Sequence, residues 1–162
     1  MKALKVYKVG DRSKNALNYW WKFKNPLVVS ANFIIIELTK ILPSLALKRF
    51  LLGCIGMKVG RNAAIGLGAQ FDIFFPEMTE LGDNCIIGYG ATILCHEFLI
   101  DELRTGRVRI GKNAMIGANT TVLPGVSIGD EAIVSACSLV NKDVRPRAFV
   151  GGVPAKILKK RR

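Results

Sequence analysis

IGKNAM IGANTT VLPGVS IGDEAI VSACSL VNKDVR, Ile110 to Arg145, is six consecutive hexads with no residue between them. Each opens on an aliphatic residue, and the fifth place is small or β-branched in all six: Ala114, Thr120, Val126, Ala132, Ser138 and Val144. A helix would repeat its apolar places near every 3.6 residues, and a long strand would not be punctuated by Gly and Asn at this rate. A short fixed period with one aliphatic slot predicts stacked coils. Each hexad is then a short strand plus a turn, and three hexads close a triangular coil. The aliphatic and fifth residues face in, and parallel strands of successive coils supply the backbone hydrogen bonds.

The same register runs upstream. VGRNAA, IGLGAQ and FDIFFP start at Val59, Ile65 and Phe71, and LGDNCI, IGYGAT and ILCHEF at Leu81, Ile87 and Ile93. Glycine stands second at Gly60, Gly66, Gly82, Gly88, Gly111, Gly117 and Gly129, where positive φ or close backbone approach is expected. The phase slips twice. Four extra residues sit around Phe75–Glu80, and Ile93 to Ile110 spans seventeen residues, which is no multiple of six. The second excursion, FLIDELRTGR from Phe98 to Arg107, is charged and reads as a loop leaving the coil. His96, the one histidine of the chain, lies at its root. Loops on a rigid scaffold are where function concentrates.

Bulk properties narrow the function classes. The net charge of +12 is split: +8 on residues 1–49, −3 on 50–141 and +7 on 142–162. No finger, helix-turn-helix or RNP-like pattern accompanies the charge, so nucleic acid is not expected. An anionic membrane surface or a phosphate-rich ligand fits it better. Cys54, Cys85, Cys95 and Cys137 form no C-x-x-C, and one histidine cannot complete a zinc site, so no metal is expected. Reduced thiols and the absence of a secretory pattern predict a cytoplasmic protein. PLVVSANFIII is too short, and too soon followed by Glu37, Lys40 and Pro43, to span a bilayer. Helices are expected near Val28–Leu42 and Ser44–Cys54, split by Pro43.

These hexads resemble the hexapeptide-repeat acyltransferases, from about Met57 to Leu158. IGANTTVLPGVSIGDEAIVSACSLVNKDV followed by FVGGVPAKI is similar to the closing coils of the sugar O-acetyltransferase branch, the maltose and galactoside enzymes. The resemblance implies a mainly β fold, a left-handed parallel β-helix, whose hand is an exception to the usual crossover rule. It implies residues 1–57 as an N-terminal helical and basic segment, 58–158 as the acyltransferase domain with a protruding loop at 98–107, and 159–162 as a basic tail.

It also implies the chemistry: acetyl-CoA as donor, a homotrimer with the donor between subunits, a sugar or glycan hydroxyl as acceptor, and His96 as general base. Free imidazole titrates near ~6.5 and so accepts a proton at neutral pH. Ala118, Ala136, Asn141, Lys142 and Lys159 match donor contacts, with Met115 and Asn141 departing from the family's usual Trp and Thr. Asp72 and Glu97 match the acceptor side, Tyr89 is a further candidate contact, and Glu97 and Glu102 are the carboxylates placed to orient the imidazole. Transfer to an amino-sugar nitrogen uses the same donor site, and a non-catalytic membrane-associated β-helix is the reading from another class. Trp20, Trp21, Lys22, Phe23 and Lys24 mix aromatic and basic side chains, which suits a membrane interface. Peripheral contact at the inner face of the cell membrane is therefore expected beside a capping role for residues 1–57.

Overall fold

The computed structural model describes residues 4–9 and 13–160. From Lys58 the chain winds around three flat faces of two- to five-residue strands. The first face stacks Lys58–Val59, Thr79–Leu81, Val108–Ile110 and Ser127–Ile128, all parallel. The second stacks Ala64–Ile65, Ile86–Ile87, Met115–Ile116, Ile133–Val134 and Ala148–Gly151, closed by antiparallel Lys156–Lys160. The third stacks Gln70–Phe71, Thr92–Ile93, Thr121–Val122 and Leu139–Val140. Ile65, Ile87, Ile116 and Val134 are thus one inward column, and all are buried. Ala63, Cys85, Ala114 and Ala132, from the fifth place, fill the narrow angle beside it.

Two hexad positions carry the turn. The fourth place has positive φ: Asn62, Gly68, Asn84, Gly90, Asn113, Asn119, Gly125, Glu131 and Cys137. Asn tolerates this left-handed region better than other side chains. The second-place glycines answer a different need. A Cβ on Gly117 would meet the Ala136 nitrogen at 2.3 Å, and one on Gly66 the Tyr89 nitrogen at 2.7 Å. Close stacking of backbones, and not positive φ, demands glycine there.

The N-terminal helices cap the open end. Helix α1, Pro26–Ile41, starts at Asn25, whose side chain accepts from Leu27 N–H, with Pro26 pre-setting the first turn. Helix α2, Leu45–Cys54, starts at Ser44, whose side chain accepts from Leu47 N–H. Within the coils each second-place glycine N–H donates to the next coil: Gly66 to the Ile87 carbonyl, Gly88 to that of Ile116. The first coil has no coil before it, so its outward carbonyls would lack donors. Side chains replace them. Lys48 Nζ donates to Ile65 O at 2.9 Å and Gly66 O at 3.1 Å, Arg49 to Ala63 O, Gln70 to Phe71 O, and Asn32 to Ile73 O. Lys48 is 1% exposed, and burial pushes its pKa below the usual lysine value. Lys48→Met keeps the apolar stem and removes the donor. It is expected to destabilise the fold by about 2 kcal/mol, read as a lower urea midpoint.

The excursions have more structure than the sequence predicts. The first is an irregular turn ending in a 3-10 helix, Pro76–Met78. The second is not a plain loop. His96–Phe98 pairs antiparallel with Glu102–Thr105, and Lys5–Lys8, from the segment expected to be helical and basic, adds a third strand. Burying Leu103 and Thr105 anchors this small sheet on the coils. Of the basic tail, Lys159 and Lys160 extend the closing strand; Arg161 and Arg162 lie outside the described residues.

Candidate active site

His96 stands where the second coil reaches the corner after its third face, and the hairpin leaves from the same point. Register sets its partner. Phe71 pairs with Ile93, so the residues after each, Asp72 and Leu94, share the corner one coil apart. There the Asp72 carboxylate collects donors. Oδ1 accepts from Phe74 N–H and Phe75 N–H, each at 2.9 Å, and Oδ2 from Cys95 N–H at 2.7 Å. Oδ2 also lies 2.5 Å from His96 Nδ1. A carboxylate accepting from three amides is ionised, so the fourth partner must be a donor. Nδ1 therefore carries a proton, and in the neutral ring the Nε2 lone pair is left free.

Burial by itself pushes the Asp72 carboxyl up. The His96 hydrogen bond and charge, with the Phe75 and Cys95 amides, outweigh it and hold the group below its ordinary value. Rings wall the imidazole on several sides. Phe74 and Phe98 meet it edge to face at centroid distances of 4.9 and 5.1 Å, and Phe75 lies at 6.0 Å. Trp20 packs against Phe74 in turn, at 5.6 Å. The His96 side chain retains 15% exposure. An anchored imidazole with one free nitrogen at a partly open apolar mouth can remove a proton from a hydroxyl and return it.

Several expectations need correction. Asp72 cannot meet an acceptor: its side chain has no exposed surface and its oxygens are taken. The carboxylate beside the imidazole is Asp72, not Glu97 or Glu102. Along the strand His96 and Phe98 share one side and Glu97 takes the other, opposite Arg104. Glu102 bonds the Arg104 guanidinium at 2.6 Å. The sequence signal for Asp72 was its polar place beside the first slip, but its reach to His96 needs the coil register.

The predicted donor residues fall into two groups. Ala118 and Ala136 stack with Leu67 and Tyr89 along the corner after the second face, tied by Asn119 N–H to Tyr89 O and Cys137 N–H to Ala118 O. Tyr89 is 64% exposed there. Asn141 and Lys142 follow the third face and share the His96 corner, two coils further on. Lys159 lies in the closing strand opposite Phe149, with neither group. An open groove of about 640 Å³ lies on the first face over Leu81, Ile110 and Ile128, away from His96. Among the described residues no cluster of His, Cys, Asp and Glu fits a metal ion. The thiols of Cys85 and Cys95 are buried and pushed up to about 11 and about 12.

The hexads build one β-helix, with a single histidine anchored at one corner. The family model described as bacterial transferase hexapeptide (six repeats) matches residues 107–142. The chain is 51% identical over 133 residues to the Bacillus subtilis (strain 168) protein named "Putative acetyltransferase YvoF", covering 82% of this chain and 77% of that one. The protein belongs to the hexapeptide-repeat acetyltransferase family, and its coils are that family's left-handed parallel β-helix. It is an acyltransferase. Two solved structures share the fold. One is the Vibrio cholerae O1 biovar eltor acetyltransferase VCA0836 complexed with acetyl-CoA, with TM-score 0.66, 22% identity and coverage of 83% and 87% of the two chains. The other is a galactoside acetyltransferase in complex with coenzyme A, with TM-score 0.66, 21% identity and coverage of 96% and 86%.

Proposed function

We propose that this protein transfers the acetyl group of acetyl-CoA to a hydroxyl of a sugar or glycan, with His96 as general base. The observation that carries the proposal is the Asp72–His96 pair at 2.5 Å, which leaves Nε2 as the proton acceptor. Nε2 takes the acceptor's hydroxyl proton as the oxygen attacks the thioester carbonyl carbon. The imidazolium is steadied by the Asp72 charge. The tetrahedral intermediate then expels the coenzyme A sulfur, which recovers the proton from Nε2. No covalent acyl-enzyme is needed when both substrates meet at one base. The donors named in the solved relatives, acetyl-CoA and coenzyme A, support the choice of acyl carrier.

Small side chains at Ala118 and Ala136 leave room for a pantetheine arm along one corner, and Lys142 adds charge for phosphates at another. One chain holds His96 and the Ala118–Ala136 column at different corners. That separation supports a homotrimer in which the donor site and the base face each other across subunits. The reading puts the chain in the cytoplasm, with residues 1–57 against the inner face of the membrane; among the described residues no helix is long and apolar enough to cross it.

Coenzyme A release with a panel of sugars, glycans and amino sugars tests the reaction. Turnover with hydroxyl acceptors is expected, and turnover only with amines would move the acceptor to nitrogen. Asp72→Asn tests the pair. Its amide would donate to Nδ1 and drive the proton to Nε2, the wrong tautomer for a base. A kcat loss of at least about 10²-fold with unchanged KM for acetyl-CoA is expected. Stability supplies a second readout. Because folding lowers the Asp72 pKa, the unfolded chain binds more protons there. The stabilisation is complete above the ordinary value of 3.8 and is lost as pH falls through the lower folded value. The Asn variant is expected to lack that acid step.

A further inference from the structure

Helix α1 carries apolar side chains on its outward side as well as its buried one. Its buried side mixes Val29 and Ile36 with Asn32 and Thr39, and α2 buries Lys48 beside Leu52. Its outward side carries Leu27, Ile34 and Ile41, seven residues apart and 80, 64 and 76% exposed, with Phe33 and Leu38 beside them. Phe50 on the adjoining α2 is exposed too, at 67%. The cap accounts for two of the buried polar residues: Asn32 and Lys48 donate to bare carbonyls of the first coil, while Thr39 bonds the Ile36 carbonyl of its own helix. The outward apolar side has no such explanation, and a contiguous exposed apolar face marks an interaction surface.

Charge indicates what covers it. Residues 1–49 carry +8. Trp21 is exposed immediately before α1, and Lys22 Nζ sits over the Tyr19 and Trp21 rings at 4.7 and 5.5 Å. Apolar side chains bordered by aromatic rings and lysines match the layering of an anionic lipid interface. A second copy laid face to face would bring two basic segments together. The inner side of the same helix reaches the wall around the base. Asn32 of α1 donates to Ile73 O at 2.9 Å, and the next residue, Phe74, packs on His96. Lys24 pairs with Glu77 at 2.5 Å on the same excursion.

We infer that the outward face of α1 and α2 seats the protein on an anionic bilayer, and that the hydroxyl delivered to His96 belongs to a membrane-held molecule, a glycan on a lipid carrier. The second half rests on the acetyl-transfer reading; the first does not. The test uses the full chain with phosphatidylglycerol and phosphatidylcholine vesicles, beside a variant carrying Ile34→Glu, Ile41→Glu and Phe50→Glu. Wild type is expected to sediment with phosphatidylglycerol, and the variant to partition at least about tenfold less, since three apolar side chains no longer leave water. Light scattering is expected to give both the same mass. Wild type left in the supernatant overturns the seat, as does equal binding of the two proteins. A variant of smaller mass makes the face a self-interface and overturns it too.

For the acceptor, acetylation of one glycan is compared free and coupled to diacylglycerol in those vesicles. At least about tenfold faster transfer to the coupled form is expected. Equal rates overturn the membrane-held acceptor. Vesicle binding with no transfer to either form upholds the seat and strikes the acetyl-transfer reading, and the membrane-held acceptor with it.

Discussion

His96→Ala is expected to abolish acetyl transfer by about 10² to 10⁴-fold in kcat, the range a positioned general base supplies. The loss follows from the arrangement at the corner. Without the imidazole, Asp72 still accepts its three backbone amides, so the coil keeps its geometry while Nε2 disappears. Affinity for acetyl-CoA should therefore change little, while the melting temperature falls because the buried Asp72 carboxylate loses its His96 partner. Coenzyme A release in single-turnover and steady-state assays, with binding of acetyl-CoA by calorimetry, separates the outcomes. A variant that binds donor and turns over like wild type would sink the general-base assignment. The Phe74 and Phe98 contacts predict a modest packing effect besides, because each loses an edge-to-face partner.

Gly117→Ala is expected to have the largest effect on stability, about 3 kcal/mol or more. Its Cβ would lie 2.3 Å from the Ala136 nitrogen and 2.7 Å from both the Ala136 Cα and the Ser135 carbonyl carbon. These are backbone atoms of the next coil and cannot rotate away, so two coils must separate, and the strand pairing between them with it. Gly53→Ala is the contrasting case. It lies in the last turn of α2, a Cβ there meets nothing within 4 Å, and the fold should gain about 0.5 to 1 kcal/mol. Denaturation midpoints of the two variants check both signs. Equal effects would remove the distinction between close-approach and open glycines.

The repeat was legible because one chemical rule recurs twelve times. An inward aliphatic residue, a second-place glycine and a small fifth residue each answer a local constraint, and local constraints are written in adjacent residues. The hexads at Ile65, Ile87, Ile116 and Val134 stack as their spacing implies. The fourth place was not singled out, although Asn or Gly stands there in seven hexads; only φ shows that Asn62, Asn84, Asn113 and Asn119 carry the left-handed turn. The hairpin at His96–Thr105 was missed because its alternation is short and its third strand comes from Lys5–Lys8, some ninety residues earlier. No local pattern announces a partner at that separation.

The site divides the same way. His96 could be singled out from the sequence as the one histidine, at the edge of a break in period. Its anchor could not. Asp72 and His96 are brought within 2.5 Å by a full coil lengthened by the first excursion, so the pair depends on how residues 72–78 leave and rejoin the helix. The acceptor role expected of Asp72 failed for the same reason: polarity is visible in a sequence, but the removal of a carboxylate from solvent is not. The amino-acid sequence alone determined the repeating coil, its small-residue interior and the residue able to accept a proton, since these follow from side-chain size and chemistry at a fixed period. Only the tertiary structure decided which carboxylate holds that residue, which donors close the open end of the helix, and which side of α1 faces out, because each depends on contacts between segments that the period does not relate.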